Sequence, residues 1–267
     1  MSLGSRARLF VLAAAWLVGL FLLLPGLITI PVSLNDTRWV RLPEETLSLR
    51  HFEAMLYNSN WMTSMRESAV IALAATILAV VIGTACAIGL WRAVGRFSIM
   101  VGAIVLTPMI LPPIVSGLAL YRAWVVLNLY DTWFGVILAH TILATPFVVI
   151  TITTALSLID PRLEQASRSL GASPRTTTLR VILPNIRVGI LTSAVFAFIV
   201  SWDEIVVTLF VSSRAVYTLP RRMWDGIRES IDPTVAAVAT SLIAATSVLV
   251  IAVIIQQARR ARAPRTG

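Results

Sequence analysis

Apolar residues along the chain come in runs of about 20, the length a helix needs to cross a hydrocarbon layer about 30 Å thick. Sliding along the sequence places such helices near residues 9–31, 66–91, 98–126, 134–157, 188–211 and 233–256. The intervening segments are polar. This pattern predicts an all-α integral membrane protein with six transmembrane helices. An even number of crossings puts both termini on one side.

Two short apolar patterns fall outside the runs. Leu219, Met223 and Ile227 recur at four-residue spacing within 212–232 and predict a short amphipathic helix near the membrane surface. It either packs over the bundle or helps to shape a gate. The first run begins after Arg6 and Arg8 and extends from Leu9 to Ile30. That is longer than the apolar part of a secretory leader, so it is expected to stay as the first membrane helix.

Prolines interrupt two runs. Pro108, Pro112 and Pro113 lie in the third and Pro146 in the fourth. Each removes a backbone donor, which hydrocarbon tolerates only where neighbouring helices or a wet cavity supply partners. The third helix is therefore expected to break against protein or a pathway, although a packing kink explains the prolines too. Asp232 and Pro233 open the sixth helix as cap and first-turn proline. Thr234, Ala236, Ala237, Ala239, Thr240 and Ala244 then give it a face of small residues suited to close helix contact.

Charge agrees with this layout. The chain has 22 basic residues, all arginine, with 13 acids and a formal charge of +9. Such a balance would suit a nucleic-acid binder, but position argues otherwise. Arg6, Arg8, Arg92, Arg96, Arg162, Arg168, Arg175, Arg180, Arg187, Arg259, Arg260, Arg262 and Arg265 fall in segments on one side, accompanied only by Asp160 and Glu164. That side carries +11. The other nine arginines face eleven acids, for −2. This is the positive-inside asymmetry, and it assigns 1–8, 92–97, 158–187 and 257–267 to the cytoplasm with both termini. Segment 32–65, with Asp36, Glu44, Glu45, Glu53, Trp39 and Trp61, has an outer-surface composition. Hydrophobic residues make up 57% of the chain and charged ones 13%, at a mean hydropathy of +0.85, as expected of one membrane domain over 1–267. A single cysteine, Cys86, excludes an intrachain disulfide.

The longest cytoplasmic segment, 158–187, is punctuated as two short helices. Asp160 with Pro161 begins the first and Gly171 ends it; Ser173 with Pro174 begins the second and Pro184 stops it. Within it, Glu164-Gln165-Ala166, three residues, Gly171, nine residues and Val181-Ile182-Leu183-Pro184 resemble the EAA loop of ABC importer membrane subunits. Gln165 and Val181 depart conservatively from that pattern. The resemblance implies a type I ABC importer membrane-domain fold in a bacterial cytoplasmic (inner) membrane. It also implies that the loop is the coupling helix region, which docks on a nucleotide-binding subunit.

Further strings extend the resemblance over most of the chain. Ser201-Trp202-Asp203-Glu204, Thr218-Leu219-Pro220, Met223-Trp224 and Asp232-Pro233-Thr234 look like the second membrane subunit of spermidine/putrescine-type importers. The resemblance implies a permease for a polyamine or related amine. Its partners would be a second, different permease subunit, two copies of an ATP-binding subunit, an external solute-binding protein and membrane lipid, with no nucleic acid. An opine, an aminophosphonate or another zwitterion is the alternative cargo. No cofactor is expected on this chain, because it lacks a phosphate-cradling G-x-x-x-x-G-K-[ST]. ATP and Mg would be bound by the partner ATPase, so this subunit is expected to be non-catalytic.

Asp203 and Glu204 stand inside an apolar run, where a carboxylate is costly enough to suggest a function. In one helix they would point about 100° apart, so only one would face a central pathway. The resemblance assigns both to the amines of a passing polyamine, with Trp202 offering a cation–π face. Alternatively, either acid pairs with an arginine such as Arg122 and staples the bundle. The family pattern also leads one to expect an acid after the proline of the third helix, where this chain has Leu111-Pro112-Pro113-Ile114. That difference and Arg122 favour a diamine or zwitterion over a longer polycation. An ion-coupled secondary transporter would not need the loop's glycine-turned knob. An intramembrane enzyme lacks residues, since His51 and His140 have neither metal-ligand spacing nor a Ser/His/Asp set, and both are read as structural.

Overall fold

The computed structural model describes residues 5–44, 46–93, 95–229 and 232–262, without the side chains of residues 5, 6 and 258–262. Glu45, Arg265 and the side chains of Arg6, Arg259, Arg260 and Arg262 thus lie outside what is described. The described residues are helical with no strand. In chain order the helices are α1 (Ser5–Ser33), α2 (Arg50–Tyr57), α3 (Ser59–Arg92), α4 (Arg96–Ile110), α5 (Pro113–Val126), α6 (Trp133–Ser157) and α7 (Pro161–Ser169). Then come α8 (Pro174–Thr177), a π turn (Thr178–Ile182), α9 (Leu183–Asn185), α10 (Arg187–Trp202), α11 (Val206–Val211), α12 (Leu219–Arg228) and α13 (Thr234–Arg262).

Among the described residues four helices are long and apolar enough to cross a membrane: Ala7–Ser33, Ser59–Arg92, Trp133–Ser157 and Thr234–Gln257. The third apolar run is two helices, α4 and α5, bent by 109°. Leu111 and Pro112 are extended there, and Pro113 occupies the first turn of α5. A residue before proline is biased away from helix, and proline suits a first turn because its missing donor is not needed there. Pro108 and Pro146 instead lie within α4 and α6, which continue through them. The fifth run is likewise interrupted: α10 ends at Trp202 and α11 starts at Val206.

The chain forms two compact units, residues 1–62 with 223–267, and residues 63–222. In the first, α1 packs on α13 through small residues. A side chain at Gly26 would sit 3.6 Å from Ile243, and the Thr29 and Thr240 hydroxyls are 3.4 Å apart. Of the face of small residues, Thr234 and Ala237 are buried, Ala236, Ala239 and Thr240 half-buried, and Ala244 exposed. Asp232 Oδ1 accepts from the Thr234 N–H at 2.9 Å, capping α13. Ile227 of α12 is exposed and borders an apolar groove with Val40, Met223 and Val235, so the stripe is not wholly buried.

The second unit is organised on α6. Ala144, Val148, Ile152 and Leu156 recur every four residues on one face and are buried against Ala79, Ala87 and Ile88 of α3, Ala197 of α10, and Ile182 and Ile186. Glycines permit the close approach: a Cβ on Gly83 would come within 2.7 Å of Val148, and one on Gly189 within 2.6 Å of Ala155. Nearer the opposite end of α6, Val136 and Ala139 pack with Ile71, Trp124, Val207, Val211 and Val216.

A carboxylate ties off this end. Asp131, between α5 and α6, accepts at Oδ1 from the N–H groups of Ser213, Arg214 and Ala215 at 2.7, 2.9 and 2.9 Å and from the Ser212 hydroxyl at 3.1 Å. Partial burial alone would raise its pKa, but these donors outweigh it and bring the value down to about 2. The folded pKa lies below the unfolded one. The charged form is therefore favoured by folding, with a contribution present above about pH 4 and lost as pH falls through about 2. Asp131→Asn is expected to lower stability at pH 7 by about 1–2 kcal/mol, allowing for solvent screening. Thermal unfolding of the two proteins should converge only as pH falls below about 2; equal stability at pH 7 would refute the role.

Candidate functional site

Segment 158–187 folds as a knob beneath α6. Asp160 Oδ1 accepts from the Arg162 N–H at 2.9 Å and starts α7. At the far end the Gly171 N–H donates to the Arg168 carbonyl and the Ala172 N–H to that of Ser167, at 2.9 and 3.2 Å. This paired closure needs a left-handed residue, and Gly171 has φ +81°. Ser173 Oγ accepts from the Thr176 N–H at 3.2 Å to begin α8. The helical stretch that starts at Pro174 ends at Asn185, one residue past Pro184. The π turn passes the chain into α9, Asn185 Nδ2 satisfies the Val181 carbonyl at 2.7 Å, and the bend of 74° falls at Ile186. Pro184 follows directly on the π turn, in the first turn of α9, where its missing donor is not needed.

The motif residues divide into two groups. Ile182 is buried and Val181 and Leu183 are half-buried, anchoring the knob to the foot of α6. Gln165, Ala166, Gly171 and Pro184 are exposed. Leu170 beside the turn is 89% exposed. Glu164 is held from two sides, by Arg92 at the end of α3 (3.0 Å) and by Arg168 one turn along α7 (3.2 Å). With Trp91, Pro161 and Gln165 these three side chains line a cavity of about 410 Å³. Arg92 counted only toward the charge asymmetry in the sequence; nothing there linked it to Glu164, 72 positions on.

Asp203 and Glu204 are not neighbours on one helix, which corrects the expected 100° separation. Asp203 closes α10, its N–H donating to the Ile199 carbonyl at 3.0 Å, and its side chain is exposed. Among the described residues that carboxylate has no hydrogen-bond or ion-pair partner. Glu204 is half-buried and turns inward: its Oε1 accepts from the Val207 N–H at 2.7 Å and caps α11. Trp202 is half-buried and stacks on Phe198 at 5.6 Å, so one face of the indole is already covered. Arg122 is exposed on α5, and among the described residues neither acid forms an ion pair with it. The staple offered as an alternative is therefore not formed.

One residue spans the break from the other side. His140 of α6 is 1% exposed, with Nδ1 2.8 Å from Ser201 Oγ and Nε2 2.9 Å from Thr208 Oγ1. Thr208 also donates to the Glu204 carbonyl at 3.2 Å. The histidine is structural, as read, but its partners lie 61 and 68 positions away, beyond any local pattern. His51 is a separate case, buried beside Asn35 Oδ1 at 3.4 Å.

A sequence model described as "Binding-protein-dependent transport system inner membrane component" matches residues 79–266, which include the knob and the helix break. The chain belongs to this family. Within the family it is similar to the spermidine/putrescine transport system permease protein PotC of Haemophilus influenzae, 29% identical over 90% of this chain and 93% of the relative. It is also similar to the putrescine transport system permease protein PotI of Escherichia coli K12, 28% identical over 86% of this chain and 84% of the relative. Its fold resembles two solved transporters. One is a bacterial ABC transporter involved in importing the acidic polysaccharide alginate (TM-score 0.68, 15% identity, covering 96% of this chain and 99% of that one). The other is the MetNI methionine ABC transporter (TM-score 0.62, 21% identity, covering 78% and 98%). An inner-membrane component of this family with several long apolar helices is a multi-pass membrane protein.

The double clamp on Glu164 generates a test. Exposed arginines, Arg162, Arg168 and Arg175, surround it. Removing its charge frees α7 by about 0.5–1.5 kcal/mol, an increase of roughly 2- to 10-fold in local opening. Trypsin should cut Glu164→Gln faster than the parent by that factor within 162–175. Equal cleavage rates would show that the ion pairs do not hold the knob.

Proposed function

We propose that the chain is a membrane-spanning subunit of an ATP-driven importer and forms half of the pathway for a polyamine or related amine, such as putrescine or spermidine. The observation that carries this reading is the likeness to PotC, which runs through nine-tenths of both chains. In this reading the chain crosses the bacterial inner membrane six times, with each bent helix pair counted as one crossing and both termini in the cytoplasm. A second, different permease subunit completes the pathway. Two ATP-binding subunits hydrolyse ATP, and a solute-binding protein delivers the cargo. The knob at 158–187 is the coupling element. Its exposed Gln165, Ala166 and Leu170 face the ATPase, while Ile182 passes movement to α6.

For the cargo, the two acids take different parts. Asp203 is exposed and without a partner among the described residues, so it is available to an ammonium group. Glu204 shapes the break. Arg122, exposed and unpaired with either acid, supports a second reading in which the cargo is an opine, an aminophosphonate or another zwitterion whose anionic end needs a cation. Uptake of putrescine, spermidine and an opine by the assembled transporter separates these readings. Asp203→Asn should raise KM for the amines by about 10- to 100-fold, the weight of a charge-assisted hydrogen bond of about 1.5–3 kcal/mol. Arg122→Gln should matter only for the opine. Unchanged uptake of all three with Asp203→Asn would remove Asp203 from the pathway. For coupling, Gly171→Arg should release the ATPase during copurification, because it places a long cation on the docking face and strains the turn. A complex that keeps its ATPase would count against the coupling role.

A further inference from the structure

The break at residues 203–205 lies between two apolar helices, where a chain that leaves the helix strands backbone groups. His140 addresses both sides of it. Its ring is fully engaged, one nitrogen on Ser201 in the last turn of α10 and the other on Thr208 in α11. A neutral imidazole donates through one nitrogen and accepts through the other, so both hydroxyls have a partner in either tautomer. Thr208 Oγ1 also lies 3.2 Å from the Glu204 carbonyl, which joins the backbone of the link to the same set of contacts.

The series is mounted on the most firmly packed helix of its unit. Val136 and Ala139 are buried against Val207 and Val211 of α11, while Ala144 and Val148 belong to the cluster that holds Ala197 of α10. Apolar packing alone sets how far these helices lie apart. It does not set the angle between two short segments joined by a three-residue link. Hydrogen bonds with fixed directions at both ends of the link do.

We infer that His140 is a positioning residue of the transport pathway: by bridging α10 and α11 it fixes the link and thereby where Asp203 presents its carboxylate. This rests on the reading of Asp203 as the acid that meets the amine. His140 itself is buried and touches no cargo. Its loss leaves the acids in place chemically and spreads their positions.

The test uses the complete transporter, with assembly verified by copurification of the ATPase for every variant. His140→Ala should raise KM for putrescine about tenfold while the maximal rate changes less than about threefold, since what is lost is orientation and not the moving machinery. His140→Gln, whose amide can still donate to Thr208, should recover most of that loss. Combined with Asp203→Asn, His140→Ala should add little, because there is no longer a charge to position. A KM unchanged by His140→Ala while Asp203→Asn raises it would overturn the positioning role alone. A KM unchanged by Asp203→Asn would sink the pathway reading alone.

A second measurement needs no cargo. In a Cys86→Ser background, the thiol introduced by Asp203→Cys is labelled with a charged thiol reagent, with and without His140→Ala. The rate should change at least threefold when the bridge is removed and return toward the parent with His140→Gln. The same rate with and without His140 would overturn the inference whatever the cargo is.

Discussion

Inside hydrocarbon an unpaired peptide N–H or carbonyl costs several kcal/mol, and this chain leaves the helix twice within its apolar runs. The two exits are handled differently. At 111–112 proline does most of the work, because it brings no donor and its ring prefers a first helical turn. At 203–205 no proline is present. The vacated groups are met by side chains: Glu204 caps the amide of Val207, Thr208 reaches the carbonyl of Glu204, and His140 holds the hydroxyls on either side. The first break is set by local covalent geometry and the second by a tertiary contact.

This difference bears on what each break can do. A proline break holds its shape whatever its neighbours do. One bridged by His140 follows the helix that carries that ring, α6, whose foot also carries the knob through Ile182 and Leu156. A single continuous helix thus contacts both the knob and the acid-bearing link. That gives unit 63–222 a short mechanical path between them, built from packed side chains at four-residue spacing along one face.

The sequence made some of this legible and hid the rest. Hydropathy located the apolar runs because membrane-spanning length is a strong, local signal, and Asp160, Gly171 and Ser173 marked the knob because caps and left-handed turns have few residue solutions. The reading failed where a residue's environment came from elsewhere in the chain. Pro184 marked the end of the second helix to within one residue, but the π turn before it has no sequence signature of comparable strength. Asp203 and Glu204 were legible as costly, but their different settings depend on α10 ending at Trp202, beside a bridge to His140 that no local pattern announces. The clamp of Arg92 on Glu164 was hidden for the same reason.

Leu170 stands at the tip of the knob with almost its whole side chain in the open, on a segment whose polar neighbours keep it in water. In the proposed assembly that side chain would be covered, so the free subunit already displays apolar area whose removal from water would favour docking.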